Sequence, residues 1–225
     1  MAGLDKTVYS GKQFESYISL QSDALGTNDV SGTLYKIRTP EVNDIDYSAG
    51  STFADAVRSG QRVQRPTDHI ATFKGGTFTW SFSDYAVENE AALQLLLRLV
   101  TEDTDPDVSA AMTGNQATVA YEEGATTGQY ACVVISSPDA DEDKLMFSSV
   151  LQELTLTMDP TVNGGRLTAS GTFFSGYQPV VGTEGTSANA TAVDYTKGFF
   201  DCTTMSIGGD DVVLNNFSVT ISNPA

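Results

Sequence analysis

The clearest pattern along the chain is an alternation of apolar and polar residues with a period of two. In "LQELTLTMDPTVNGGRLTASGTFFSG" (151–176), Leu154, Leu156 and Met158 fall on one face and Leu167, Ala169 and Phe173 follow suit after the turn. The opposite face holds Thr155, Thr157, Thr168, Ser170 and Thr172, so the stretch predicts a β-hairpin with one apolar and one hydroxyl-bearing side. "GGTFTWSFSDY" repeats the design, with Phe78, Trp80 and Phe82 set against Thr77, Thr79, Ser81 and Ser83. "ESYISLQ", "GTLYKIR" and the apolar run "YACVVISS" read as further strands. A last hairpin is expected from "FFDCTTMSI", the turn "GGDD" and "VVLNNFSVTISNPA", where Val213, Phe217, Val219 and Ile221 share a face.

One stretch changes period. In "DYAVENEAALQLLLRLVTED", Leu93, Leu96, Leu97 and Val100 recur at helical spacing. Ser83 or Asp84 is the expected cap, and Glu88 and Glu90 lie in early turns where the helix dipole favours anions. Burying those four side chains would contribute roughly 6–12 kcal/mol at most, so the helix is expected to pack on the sheets. The elements together predict an all-β fold with one flanking α-helix, in a single domain over residues 1–225. From about 39 to 74 the alternation weakens, and a long extended loop is expected there.

Charge sharpens the picture. The 29 acidic and 12 basic residues give a net charge of −17, which excludes a protein that grips nucleic acid through clustered cations. Half of the basic residues, Lys36, Arg38, Arg58, Arg62, Arg65 and Lys74, fall in or beside the 39–74 stretch. "TEDTDPD" and "PDADED" are expected to be solvated acidic loops, since neither has the spacing of a calcium loop. Against this background the uncharged Thr/Ser face of the 151–176 hairpin is unusual, because exposed sheets ordinarily carry charges.

Candidate chemistry is sparse. His69 is the sole histidine, no Ser or Cys stands in a recognisable nucleophile motif, and no phosphate-binding glycine motif occurs, so no catalytic residue and no enzyme activity is expected. Cys132 and Cys202 lack metal-ligand spacing and are expected to be buried thiols; no metal or cofactor is expected. The first twenty residues carry Asp5 and Glu15 and no apolar core of a secretory signal, and no run has the ~20 apolar residues of a membrane helix, so no membrane association is expected.

In order, "GGTFTWSFSDY" running into "ENEAALQLLLRLV", then "LMFSSVLQELTLTMDPTVNGGRLTASGTFF" and the terminal "VVLNNFSVTISN" resemble the tail tube (major tail) proteins of long-tailed bacteriophages, over about residues 75–223. The resemblance implies a β-sandwich or half-barrel tail-tube fold whose copies close into six-fold rings lined by a continuous barrel. Stacked rings would form a tube in the virion, assembled in the bacterial host cytoplasm. Its partners would be the chain itself, a tape measure protein, tail-end proteins and duplex DNA that passes without specific binding. Arg58, Arg62 and Arg65 then become inter-ring contact candidates, docking onto acidic loops of a neighbour, and charge reversal of the three is expected to disrupt tubes. Thr155, Thr157, Thr168, Ser170 and Thr172 become a covered or lumen-facing surface. A tube initiator or distal tail protein would share these features, and a carbohydrate-binding β-sandwich module is the alternative from a different class.

Overall fold

The computed structural model describes residues 14–21, 25–26, 33–53, 71–87, 90–101, 129–138, 142–159, 161, 166–182, 205–207, 210–212 and 216–223. Within them run strands β1 (Glu15–Gln21), β2 (Tyr35–Ile37), β3 (Asp46–Phe53) and β4 (Ala71–Ala86), helix α1 (Glu90–Thr101), then β5 (Tyr130–Ser136), β6 (Asp143–Met158), β7 (Leu167–Ser175), β8 (Val180–Gly182), β9 (Met205–Ile207), β10 (Asp210–Val212) and β11 (Phe217–Ser222). The fold is all-β with one helix, as the periodicities predict. Nine strands form one antiparallel network in the order β2-β1-β5-β6-β7-β4-β3, with β8 and β11 also paired to β6; β9 and β10 pair with each other.

The network turns on β6. Its first half pairs with β5 (Ile135 opposite Lys144) and β8 (Val181 opposite Lys144), and its second half with β7 (Thr155 opposite Ser170) and β11 (Thr155 opposite Thr220). Between the halves Ser148 has φ 50°, a left-handed value that costs a non-glycine residue free energy. Its neighbours compensate. The Gln21 carboxamide oxygen accepts from the Ser148 amide at 2.6 Å, and the Ser148 hydroxyl accepts from the Gln21 amide nitrogen at 3.1 Å and from the Gly26 N–H at 2.9 Å. Ser149 and Ser175 hydroxyls donate to the carbonyls of Met146 and Phe147 at 2.9 and 2.7 Å. A side chain distant in sequence thus replaces the ladder bonds that the bend removes, and each buried group so satisfied avoids a penalty of about 1–3 kcal/mol.

Both halves and the helix enclose one core that includes Ile18, Ile37, Trp80, Phe82, Leu96, Leu99, Val133 and Phe173. Trp80 stacks on Phe82 with ring centroids 5.5 Å apart and lies 5.8 Å from Phe173, while its indole N–H donates to the Asn43 carbonyl at 3.1 Å. The outer face of the first half is apolar as well, with Tyr17, Leu34, Cys132, Val134, Leu145 and Phe147 in a second cluster. β5 is therefore buried on both faces, which explains its continuous apolar run, and Cys132 sits fully buried within it. Cys202 and His69 lie outside the described residues.

Four expectations change. The helix begins at Glu90 and not after Ser83 or Asp84, because β4 continues to Ala86. Tyr85 and Ala86 pair with Ala169 and Thr168, and Tyr85 is buried; ladder bonds and aromatic burial outweigh an earlier helix start, so Asp84, with φ 54°, occupies a β-bulge. Leu93, Leu96, Leu97 and Val100 are buried as expected, but Leu95 and Leu99 are too, so the helix is enclosed on more than one stripe. In the terminal region β9 pairs with β10, whereas β11 crosses to the edge of β6. Finally, the stretch read as a long loop contains β3 and the start of β4, which pair from Asp46–Thr79 to Phe53–Ala71, and only 54–70 between them falls outside the described residues.

Candidate functional site

The hydroxyl face spans the second half of the network, across β11, β6, β7 and β4. Paired residues of an antiparallel sheet share a face, so Ser218, Thr157 and Thr168 form one row and Thr220, Thr155 and Ser170 the next. Ser222, Glu153, Thr172 and Ser81 form a third. The hydroxyls bond across strands: Thr155 to Thr220 at 2.9 Å, Thr157 to Ser218 at 3.3 Å and Ser81 to Thr172 at 3.0 Å. The Ser170 hydroxyl accepts from the Asp84 amide of the bulge at 3.2 Å. Each Thr/Ser pair contributes roughly 0.2–1 kcal/mol, and β-branched threonine suits the pleat.

Thr155, Thr157, Thr168, Ser170 and Thr172 share this sheet face, but one of them differs in exposure. Thr168 is buried, and its hydroxyl donates to the Thr157 carbonyl at 3.1 Å. It belongs to the sheet's internal bonding and not to the presented surface. Charge on the face is slight and of one sign. Glu153 is exposed within it, Asp46 lies opposite Thr79 at its β3 side, and no Lys or Arg occurs on it among the strand residues whose side chains are described. Arg166 stands just before β7, at the hairpin end.

Two strands bound this half. β11 pairs with β6 and β3 with β4, and each has a single partner among the described strands. β11, "FSVTIS", carries no charge, and Val219 on its apolar side is 43% exposed. Proteins that must stay apart usually guard such an edge with lysine, proline or a bulge. β11 has none of these.

A second surface lies at the end of the sheets near the start of β3. Phe14, Val42 and Ile135 floor a cleft of about 180 Å³, with Asp44, Glu142 and Lys144 at its rim. Lys144 and Asp44 are joined by a salt bridge. Asp143, the last residue of "PDADED", is buried and accepts from the Ser137 amide at 2.8 Å, so that acidic stretch is not wholly a solvated loop. Most of the other loop, "TEDTDPD", and the arginines Arg58, Arg62 and Arg65 lie outside the described residues.

Among the described residues no cluster of His, Cys, Asp and Glu could hold a metal, and no helix is long and apolar enough to cross a membrane. One charged cluster is worth defining. Partial burial pushes the Glu15 carboxyl up, but hydrogen bonds from Lys36 and Tyr17 and the charges of Lys36 and Arg38 outweigh it, leaving Glu15 below its ordinary 4.5. The same contact, after burial, raises the Tyr17 phenol well above its usual range. The cluster ties β1 to β2.

No protein-family model and no curated protein matches the sequence. Among solved structures, a chain of the anti-feeding prophage baseplate, described as a six-fold symmetrised cryo-EM structure, aligns over 80% of this chain and 99% of its own at 10% identity, with a TM-score of 0.42. A type six secretion system protein aligns over 75% of this chain and 82% of its own at 13% identity, with a TM-score of 0.30. Neither likeness assigns a function to this chain.

Proposed function

We propose that the chain is a structural, non-catalytic subunit of a bacteriophage tail tube. Copies close into six-fold rings, rings stack into a conduit, and the conduit encloses a tape measure protein during assembly and later passes duplex DNA to the host. The observation that carries this reading is the hydroxyl face: four strands present paired Thr and Ser hydroxyls, and the charged side chains described on that face are acidic, on a chain of net charge −17. Duplex DNA carries one negative charge per about 1.7 Å, so each lysine in a channel wall would bind phosphate and slow its passage. A hydroxyl wall hydrates, and it does not hold a polyanion. The uncharged edge of β11 and the edge of β3 bound the same sheet, so a neighbouring copy could continue it on either side and extend the hydroxyl surface into a lining.

Negative-stain electron microscopy of the purified protein tests this directly. Stacked rings about 100 Å wide, the scale of six such domains around a channel that admits duplex DNA, are the expected result. Single rings that never stack would favour a tube initiator or distal tail component. A strictly monomeric protein at high concentration would overturn the proposal and return attention to a binding module.

A further inference from the structure

The core meets the surface at the end of the first half of the network. Ser16, Ile135, Lys144 and Val181 are cross-strand partners in one row over β1, β5, β6 and β8. Ile135 is buried in the core and Phe14 and Val42 pack against that core, whereas Val181 at the end of the row is 69% exposed. The cleft of about 180 Å³ lies beside this row. It is smaller than the roughly 300–1,000 Å³ of small-molecule sites, so it suits one large side chain and not a ligand of that class. Its rim is set beforehand, because the Trp80 indole holds the Asn43 carbonyl and the Asn43 amide donates to the Ser81 carbonyl at 2.8 Å.

The rim also selects for positive charge. Lys144 is joined to Asp44, and Glu142 adds an exposed second carboxylate. Residues 1–13 lie outside the described residues, and they enter the fold at this cleft, since Phe14 lines it and immediately precedes β1. Glu15 pairs with Ser136, so the same antiparallel path continued backwards runs past Ser137 and Pro138 toward the turn that ends at Glu142. The segment reads "MAGLDKTVYSGKQ", with two lysines and one aspartate in a chain of net charge −17. Lys12 stands two residues before Phe14, Ser10–Gly11 is a turn-forming pair, and Tyr9 is the segment's one aromatic residue. The row from β1 to β8 spans three strand spacings, about 14 Å at ~4.8 Å each. Five extended residues reach about 17 Å, so Tyr9 has the length to cross the mouth.

We propose that residues 8–13 of the same chain form a strap that closes this cleft, with Lys12 paired to Glu142 and Tyr9 seated on the floor of Phe14, Val42 and Ile135. The strap covers apolar surface where the core is otherwise open, and its lysine offsets the unbalanced carboxylate of the rim. While it is in place, the Ile135 end of the first half is closed to other chains; when it is displaced, an apolar cleft with an acidic rim is uncovered. The contact is complete within one copy, so it stands or falls apart from the tube reading.

Carbodiimide coupling of the full-length chain tests the strap, because it joins an amine to a carboxylate only where the two already touch. An equal mixture of isotope-labelled and unlabelled protein is coupled, digested and read by mass spectrometry. The Lys144–Asp44 and Lys36–Glu15 ion pairs serve as internal controls. The expected result is a Lys12–Glu142 link whose two peptides carry the same isotope, at a yield independent of protein concentration and reduced in high salt. Tyr9→Ala should lower that yield about tenfold while the control links persist, which separates loss of the contact from loss of the fold. Mixed-isotope Lys12–Glu142 links would assign the segment to a second copy and overturn the strap. Control links without a Lys12–Glu142 product would overturn it outright, whatever microscopy shows of rings. A yield unchanged by Tyr9→Ala would overturn the seating of Tyr9 in the cleft.

Discussion

At the scale of single residues, the sheet is intolerant where backbones approach closely. A Cβ on Gly171 would lie 2.8 Å from the Glu153 carbonyl oxygen and 2.9 Å from the Phe82 ring. Since a backbone carbonyl on a central strand cannot yield easily, Gly171→Ala should lower unfolding free energy by about 1–3 kcal/mol in chemical denaturation. Glu15 gives a pH signature. Its folded-state pKa is depressed below 4.5, so its contribution is fully present above that pH and is lost as pH falls through the folded value. Denaturation midpoints measured from about pH 6 downward should fall less steeply in Glu15→Gln than in the parent chain. Equal slopes would mean that the Lys36 and Tyr17 contacts contribute nothing to acid sensitivity.

At the scale of elements, legibility followed the range of the forces. The hairpin of β6 and β7 was readable because alternation fixes a face and a one-residue slip would bury threonines. The start of α1 was not, since it depends on Tyr85 finding Ala169 across the sheet. The corner at Ser148 depends on Gln21, 127 positions away, and no local pattern announces it. β3, "DYSAGSTF", lacks alternation and owes its extended state to β4. The hydroxyl face was legible as a set, while the burial of Thr168 was not. That distinction separates two outcomes. Thr155→Lys, Thr157→Lys and Thr172→Lys should fold with parental thermal stability yet give fewer or shorter assemblies by microscopy, whereas Thr168→Lys should lose stability, because its buried hydroxyl bonds the Thr157 carbonyl. Normal assembly and genome delivery by the first three would mean that the face is merely solvated.

At the scale of the molecule, a charge of −17 keeps copies apart at long range, so association must come from surfaces where that repulsion is locally absent. The β11 edge is such a surface. Val219→Lys places a cation on an edge strand whose partner side is otherwise unguarded; sedimentation should show an intact monomer and fewer closed rings, and unchanged rings would exclude β11 from the joint. The shared strand β6 has a separate consequence, for the order of folding. Six residues join β5 to β6 and eight join β6 to β7, so this three-strand meander closes through short loops. β1, β4 and β11 must instead search across long stretches of chain before they find it. With β6 in place both halves have a template, and without it neither does. The two halves should therefore appear and melt as one cooperative unit, however different their outer surfaces have become.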